Sequence, residues 1–209
     1  MSAPADLPKP VPQFPRLDPA SPEFWDVRFE AEFTPWDQGA VPACLADYVK
    51  RHPAPASVLI PGCGAAHEIR LFTEAGWPVA AIDFSAAAVS KARALLGPLG
   101  KYVHEADFFA DSPVMKSIEV VYERAFLCAL PLALRAAWAK RMAELIPRGG
   151  RLIGFFYFDQ TEKGPPFGIT RDTLTGMLAP AFDLIEDSAP SDSIPVFAGK
   201  ERWQVWQRR

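Results

Sequence analysis

The chain has 209 residues, 49% of them apolar, and a formal net charge of −3. That length suits one domain with a sizeable core, and the acidic balance excludes a global field for nucleic acid or an anionic membrane surface. No apolar run reaches the length of a membrane span, and Cys44, Cys63 and Cys128 form neither a C-x-x-C pair nor a metal-ligand spacing. They read as thiols of a reducing compartment, with no metal site and no disulfide framework.

Residues 1–22 carry prolines at positions 4, 8, 10, 12, 15, 19 and 22. Proline at that density blocks helix and sheet ladders, so this is a flexible arm, either a free terminus or a strap over a site. It has no basic segment followed by an apolar one, which argues against a secretory signal and for the cytoplasm. Residues 23–209 form the single folded domain. Ser21 is placed to cap a first helix with Pro22 at its first position, anchored by Phe24, Trp25 and Phe29. A second helix is expected from about Gly39 to Arg51. A strict alternation follows: strand SVLI, helix AAHEIRLFTEAG, strand PVAAID, helix AAAVSKARALLG, strand YVHE and strand SIEVVYE. LPLALRAAWAKRMAELI reads as one long helix, RLIGFFYF as a strand and ITRDTLTGMLAP as a short helix. FDLIED and RWQVWQ then close the chain as an antiparallel pair. The expected fold is α/β: a doubly wound, mostly parallel, Rossmann-like sheet with helices on both faces.

In such a sheet the first strand-to-helix turn meets the cofactor, and here it reads PGCGAAHE. Asp83 ends the second strand, 21 residues after Gly62, the usual place for a carboxylate that accepts from both ribose hydroxyls. A dinucleotide site would want a third glycine where His67 stands, because its pyrophosphate rests on the helix N-terminus. S-adenosylmethionine carries no phosphate, so the tight turn of Gly62 and Gly64 suffices. The EADFF segment completes an adenosine pocket: Asp107 can accept from the exocyclic amine and Phe108 can flank the ring. Taken alone, Asp107 would be a turn or cap residue. A nicotinamide-dependent oxidoreductase and a catalytically silent binding module remain the alternatives at this point.

PGCGAAHE, EADFF, FLCAL, AWAKRMAELI, GPPF and DSIP-x-x-x-GKE together resemble the thiopurine methyltransferase family, most closely its plant-type halide and thiol methyltransferases. The resemblance runs from about Trp25 to Trp206. It implies the seven-stranded class I methyltransferase fold, S-adenosylmethionine as methyl donor with S-adenosylhomocysteine as product, and a small thiol, sulfide or halide as acceptor. It also implies a monomer or weak homodimer. Position by position, it sets Trp25 and Trp36 at the sulfonium end, Gly62 and Gly64 in the loop, Asp83 on the ribose, and Asp107 with Phe108 on adenine. Phe29 and Arg124 fall at the acceptor end. Phe29 stands where the halide branch has Trp, and Arg124 stands where it has Tyr but the thiopurine enzymes have Arg.

Aromatic faces suit a sulfonium cation, although both Trp residues could equally be core packing. A thiol ionises near enough to neutrality to need a cation more than a base, and Arg124 is that cation. The competing reading of Arg124 is a salt bridge with Glu123 or a C-terminal acid. His67 reads as a packing or capping residue, His104 has no visible partner, and Cys63 is a small buried filler. Asp192–Pro195 is expected, on the resemblance, to cap the acceptor pocket.

Overall fold

Apolar runs bounded by Pro and Gly build the sheet. A computed structural model describes residues 12–209; the part of the Pro-rich arm before them lies outside the described residues. Five strands run parallel: β1 (Val58–Pro61), β2 (Val79–Asp83), β3 (Val103–Glu105), β4 (Val120–Arg124) and β5 (Arg151–Tyr157). β6 (Phe182–Ser188) and β7 (Glu201–Arg208) complete a seven-stranded sheet in the order β3-β2-β1-β4-β5-β7-β6, with β7 antiparallel to both neighbours. Central strands read as continuous hydrophobic segments because helices cover both faces; all four residues of β1 are buried. β6 lies at the edge, where Leu184 and Ile185 are exposed.

The connections are helical. α2 (Ala43–Arg51), α3 (Glu68–Glu74) and α4 (Ala86–Leu96) pack on one face; α5 (Arg135–Leu145) and α6 (Arg171–Leu178) pack on the other. α2 shows the expected spacing, burying Leu45, Tyr48 and Val49 while its charged residues face outward. On the opposite face Trp138 and Met142 of α5 are fully buried. Each such side chain contributes roughly 1.5–3 kcal/mol of burial. Ser85 Oγ caps α4 by accepting from Ala88 N–H at 3.1 Å.

Two expected boundaries shift. α2 starts at Ala43, because Pro42 in extended backbone heads it and Gly39 turns at a φ of +67°. The long helix after β4 opens as a 3₁₀ turn over Leu132–Leu134 and becomes α-helical only at Arg135. α1 (Pro22–Glu30) begins with Pro at its first turn as expected, but the Ser21 side chain makes no capping bond. The described end of the arm follows α1: Phe14 packs on Phe33 at 5.5 Å, and Arg28 stacks on the Phe14 ring.

The strand order reverses between β1 and β4. The chain winds outward through β2 and β3 on one side, then returns to the other through β4 and β5. Their diverging connections leave a crevice above the carboxyl ends of β1 and β4.

Candidate active site

That crevice is a cavity of about 790 Å³, within the range of small-molecule sites. Trp25, Phe29, Trp36, Gly62, Gly64, Asp83, Asp107, Phe108 and Arg124 all line it, so the fold brings every candidate residue to one place. They arrive from α1, the loop after it, and the ends of β1 to β4.

The turn after β1 requires its glycines. Gly62 and Gly64 sit at φ values of +56° and +51°, where a side chain is strained. A Cβ at Gly62 would also collide with the Phe126 ring, and one at Gly64 would meet the Phe29 ring at 3.5 Å. Phe29 therefore lies against the glycine loop. Gly64 N–H donates to Asp83 Oδ2 at 3.0 Å, and Ser85 N–H donates to Asp83 Oδ1 at 3.0 Å. Burial pushes Asp83 up to about 6, moderated by these bonds, so it is largely ionised at neutral pH. Each oxygen keeps lone-pair capacity for a further donor such as a sugar hydroxyl.

Over the turn stands an aromatic wall. Trp25 meets Trp36 edge-to-face at 5.7 Å, and Phe29 meets Trp36 at 6.1 Å. Trp25 Nε1 donates to Pro19 O at 2.9 Å, so the arm's end reaches the rim of the cavity. α1 is fixed by Asp26, whose Oδ1 accepts from Ser85 Oγ at 2.6 Å and Ala87 N–H at 3.1 Å. Beyond β3, Asp107 is exposed at the cavity edge, with Oδ1 accepting from Phe109 N–H at 2.9 Å. That bond is the ordinary turn role. Phe108 is buried, packs edge-on against Phe126 at 5.2 Å and lines the cavity.

The far end holds the charge. Arg124 closes β4 with its guanidinium 4.3 Å over the Phe155 ring, and both terminal nitrogens are buried without a hydrogen-bond partner among the described residues. Burial works against its charge, but Tyr122, Glu201 and Glu68 more than offset it, so the cation persists. The salt-bridge alternative is not realised with Glu123, which turns the other way: its Oε1 accepts from Phe126 N–H and Leu127 N–H, both at 2.9 Å. Cys128, Pro165, Pro166 and Phe197 complete the apolar surround. No residue of the Asp192–Pro195 segment expected to cap this end lines the cavity; Val196 and Phe197 just after it do, and Asp192 ties the segment to α2 by accepting from Ala43 N–H at 2.6 Å.

Sequence reasoning passed over several of these contributors. His67, read as a packing or capping residue, does head α3, but its side chain makes no capping bond and instead pairs with Asp37 at 2.8 Å. Asp26 and Phe126 had no local signal, because each acts on a segment more than 50 residues away. The W-D-Q-G tetrapeptide and the His after GCG were the available clues.

Comparison with known proteins gives the same reading. The family described as thiopurine S-methyltransferase (TPMT) matches residues 20–209. The chain belongs to the thiopurine S-methyltransferase family. Thiocyanate methyltransferase 1 of Arabidopsis thaliana is 30% identical over 191 residues, covering 88% of this chain and 84% of that protein. A thiopurine S-methyltransferase of Shewanella denitrificans is 27% identical over 183 residues, covering 78% and 84%. In fold, the 1,6-didemethyltoxoflavin-N1-methyltransferase of Burkholderia thailandensis, solved with S-adenosylhomocysteine, superposes with a TM-score of 0.71 at 15% identity over 94% of this chain and 92% of that one.

As a family member the chain is an S-adenosylmethionine-dependent methyltransferase, and the oxidoreductase alternative falls away. The cavity suits this donor: the buried Asp83 carboxylate stands beside the glycine turn with capacity for a sugar hydroxyl, and no helix N-terminus has to cradle a phosphate.

Proposed function

We propose that the cavity holds S-adenosylmethionine between the glycine turn and EADFF, and that the Arg124 end receives a small thiol or sulfide as its anion. The observation that carries this reading is the Arg124 guanidinium, buried at the cavity wall with both terminal nitrogens unpartnered. Buried guanidinium donors without partners are costly, and an anionic sulfur would satisfy them. Bound S-adenosylmethionine supplies an electrophilic methyl on a sulfonium centre.

The protein's part is then positioning and exclusion of water. Asp83 would accept from the ribose, Asp107 and Phe108 would hold adenine, and Gly62 and Gly64 would clear the amino-acid end. Trp25 and Trp36 would present π faces to the cation. Phe29 backs the glycine turn. Arg124 favours the thiolate, whose free pKa is roughly 8.5, so no separate base is needed. The free thiols Cys44, Cys63 and Cys128 suit a cytoplasmic setting, and a monomer or weak homodimer suffices because one chain supplies the whole cavity.

The test is headspace gas chromatography of purified protein with S-adenosylmethionine. Sulfide, methanethiol, thiocyanate and iodide are offered in parallel, with Asp83→Ala as the blank. A methylated volatile from the thiols that disappears in the variant is expected. Product from iodide alone would move the acceptor class to halide. Silence on all four would overturn the small-thiol assignment.

A further inference from the structure

The Trp36–Gly39 loop forms the outer wall of the cavity, and one side-chain pair joins it to the glycine turn. His67 Nε2 lies 2.8 Å from Asp37 Oδ1. The same oxygen accepts from Gly39 N–H at 2.8 Å, so one carboxylate both shapes the turn and attaches it to the residue heading α3. Its neighbour Trp36 completes the aromatic wall with Trp25 and Phe29. Both members of the pair are largely shielded, with side-chain exposures of 22% and 17%, so the contact is less screened than a surface ion pair.

We propose that His67 is a positioning residue for the methyl donor: its imidazolium, held by Asp37, keeps the Trp36 loop closed over the bound cofactor. This rests on the assignment of the cavity to S-adenosylmethionine. The charged groups facing the imidazole are Asp37 from the loop, Glu68 from its own helix and Lys91 from α4. The hydrogen bond to Asp37 raises the His67 pKa, against the opposing effects of burial and Lys91. The same bond holds Asp37 below the usual carboxylate range. The two therefore form an ion pair from below neutrality up to the raised value of His67; as pH climbs through it the imidazolium gives up its proton, leaving a neutral imidazole beside the Asp37 carboxylate and only an uncharged contact.

Titration at His67 frees the loop but not the helix before it. α1 is held by Asp26 through a hydroxyl and a backbone N–H, donors that carry no charge to lose. Loosening is confined to the stretch between α1 and α2, the one that carries Trp36.

The experiment is calorimetric titration of S-adenosylhomocysteine into the wild-type protein, His67→Gln and Asp37→Asn across a pH series spanning the His67 transition. Both substitutions keep hydrogen-bonding groups, and Asn can still accept from Gly39. Wild-type affinity should fall roughly two- to five-fold from the acidic to the alkaline side of that transition. The two variants should bind with the weaker value throughout and lack that limb. Titrations of Asp83 and of the ligand's own amine persist in all three proteins and do not mimic the difference. In the cofactor-free protein at one fixed pH below the transition, amide exchange over residues 33–40 should be faster in His67→Gln, with residues 22–30 unchanged. An alkaline limb that persists in both variants with the wild-type midpoint, or unaltered exchange over 33–40, would overturn the proposal. Absence of binding to the wild-type protein at every pH would overturn the cofactor assignment and this proposal with it.

Discussion

Arg124 is the residue on which the proposed chemistry turns. Its terminal nitrogens have no partner, and the acids that sustain its charge, Glu68 and Glu201, are themselves buried with raised pKa values, each chiefly through desolvation. An arrangement that keeps a cation ionised while leaving its donors vacant suits transient capture of an anion better than a structural pair. Arg124→Ala should raise KM for an anionic acceptor roughly 10- to 100-fold, the equivalent of a lost charged hydrogen bond. Its affinity for S-adenosylhomocysteine should stay near the wild-type value. Steady-state kinetics beside calorimetry separates the two, and equal loss of both would move Arg124 into the cofactor site. Arg124→Lys should recover only part of the loss, since a point charge cannot reproduce a planar fork.

Among the elements that build the site, the β1-to-α3 turn is tightly constrained. Gly62 needs both a positive φ and an absent Cβ, because Phe126 from the segment after β4 occupies the space. Gly62→Ala should cost about 1–3 kcal/mol in backbone strain alone, and the displaced Phe126 would disturb the cavity wall. The expected result is a lowered midpoint in chemical denaturation, together with weakened S-adenosylhomocysteine binding. Gly39, which also turns at positive φ, has no atom near its missing Cβ, so Gly39→Ala should be milder. Comparing the two separates strain from collision. Some of this was legible beforehand: the GCG spacing after an apolar run identified the turn, and Asp83 identified the opposing acid. The identity of the obstructing ring was not, because Phe126 is 64 residues away in sequence from Gly62 and nothing local relates them.

Across the whole molecule, buried acids tie stability to pH. Burial pushes Glu123 up to about 7 from an ordinary value of 4.5, and its Oε2 has no partner. Below the ordinary value it is neutral in both the folded and unfolded states. Between 4.5 and about 7 the unfolded chain has released the proton while the fold retains it, so stability falls as pH rises across that window and levels off above it. Asp83, raised to about 6, adds to the same slope. The protein should therefore resist denaturant better at about pH 5.5 than at about pH 8. Glu123→Gln mimics the neutral acid and keeps an oxygen for the Phe126 and Leu127 amides. It should regain on the order of 3 kcal/mol at the higher pH and about 1 kcal/mol at the lower, a difference of about 2 kcal/mol. Urea midpoints at the two values check this, and an unchanged slope in the variant would assign the effect elsewhere.

Local patterns sufficed for the elements themselves. Hydrophobic periodicity, Pro and Gly punctuation and the strand-helix alternation specify seven strands and their helices, because a parallel sheet covered on both faces writes its burial into consecutive residues. They also mark Gly62, Gly64, Asp83 and Asp107, whose spacing follows the first turns of such a sheet. Tertiary structure alone decided what each side chain meets. Asp37 reaches His67, Asp26 reaches the head of α4, Phe126 fills the space over Gly62, and Arg124 is left without a partner while Glu123 beside it turns to the backbone. These are contacts between segments that the switch point of the sheet folds together, and a side chain's partner across that distance depends on packing geometry that no local sequence pattern encodes.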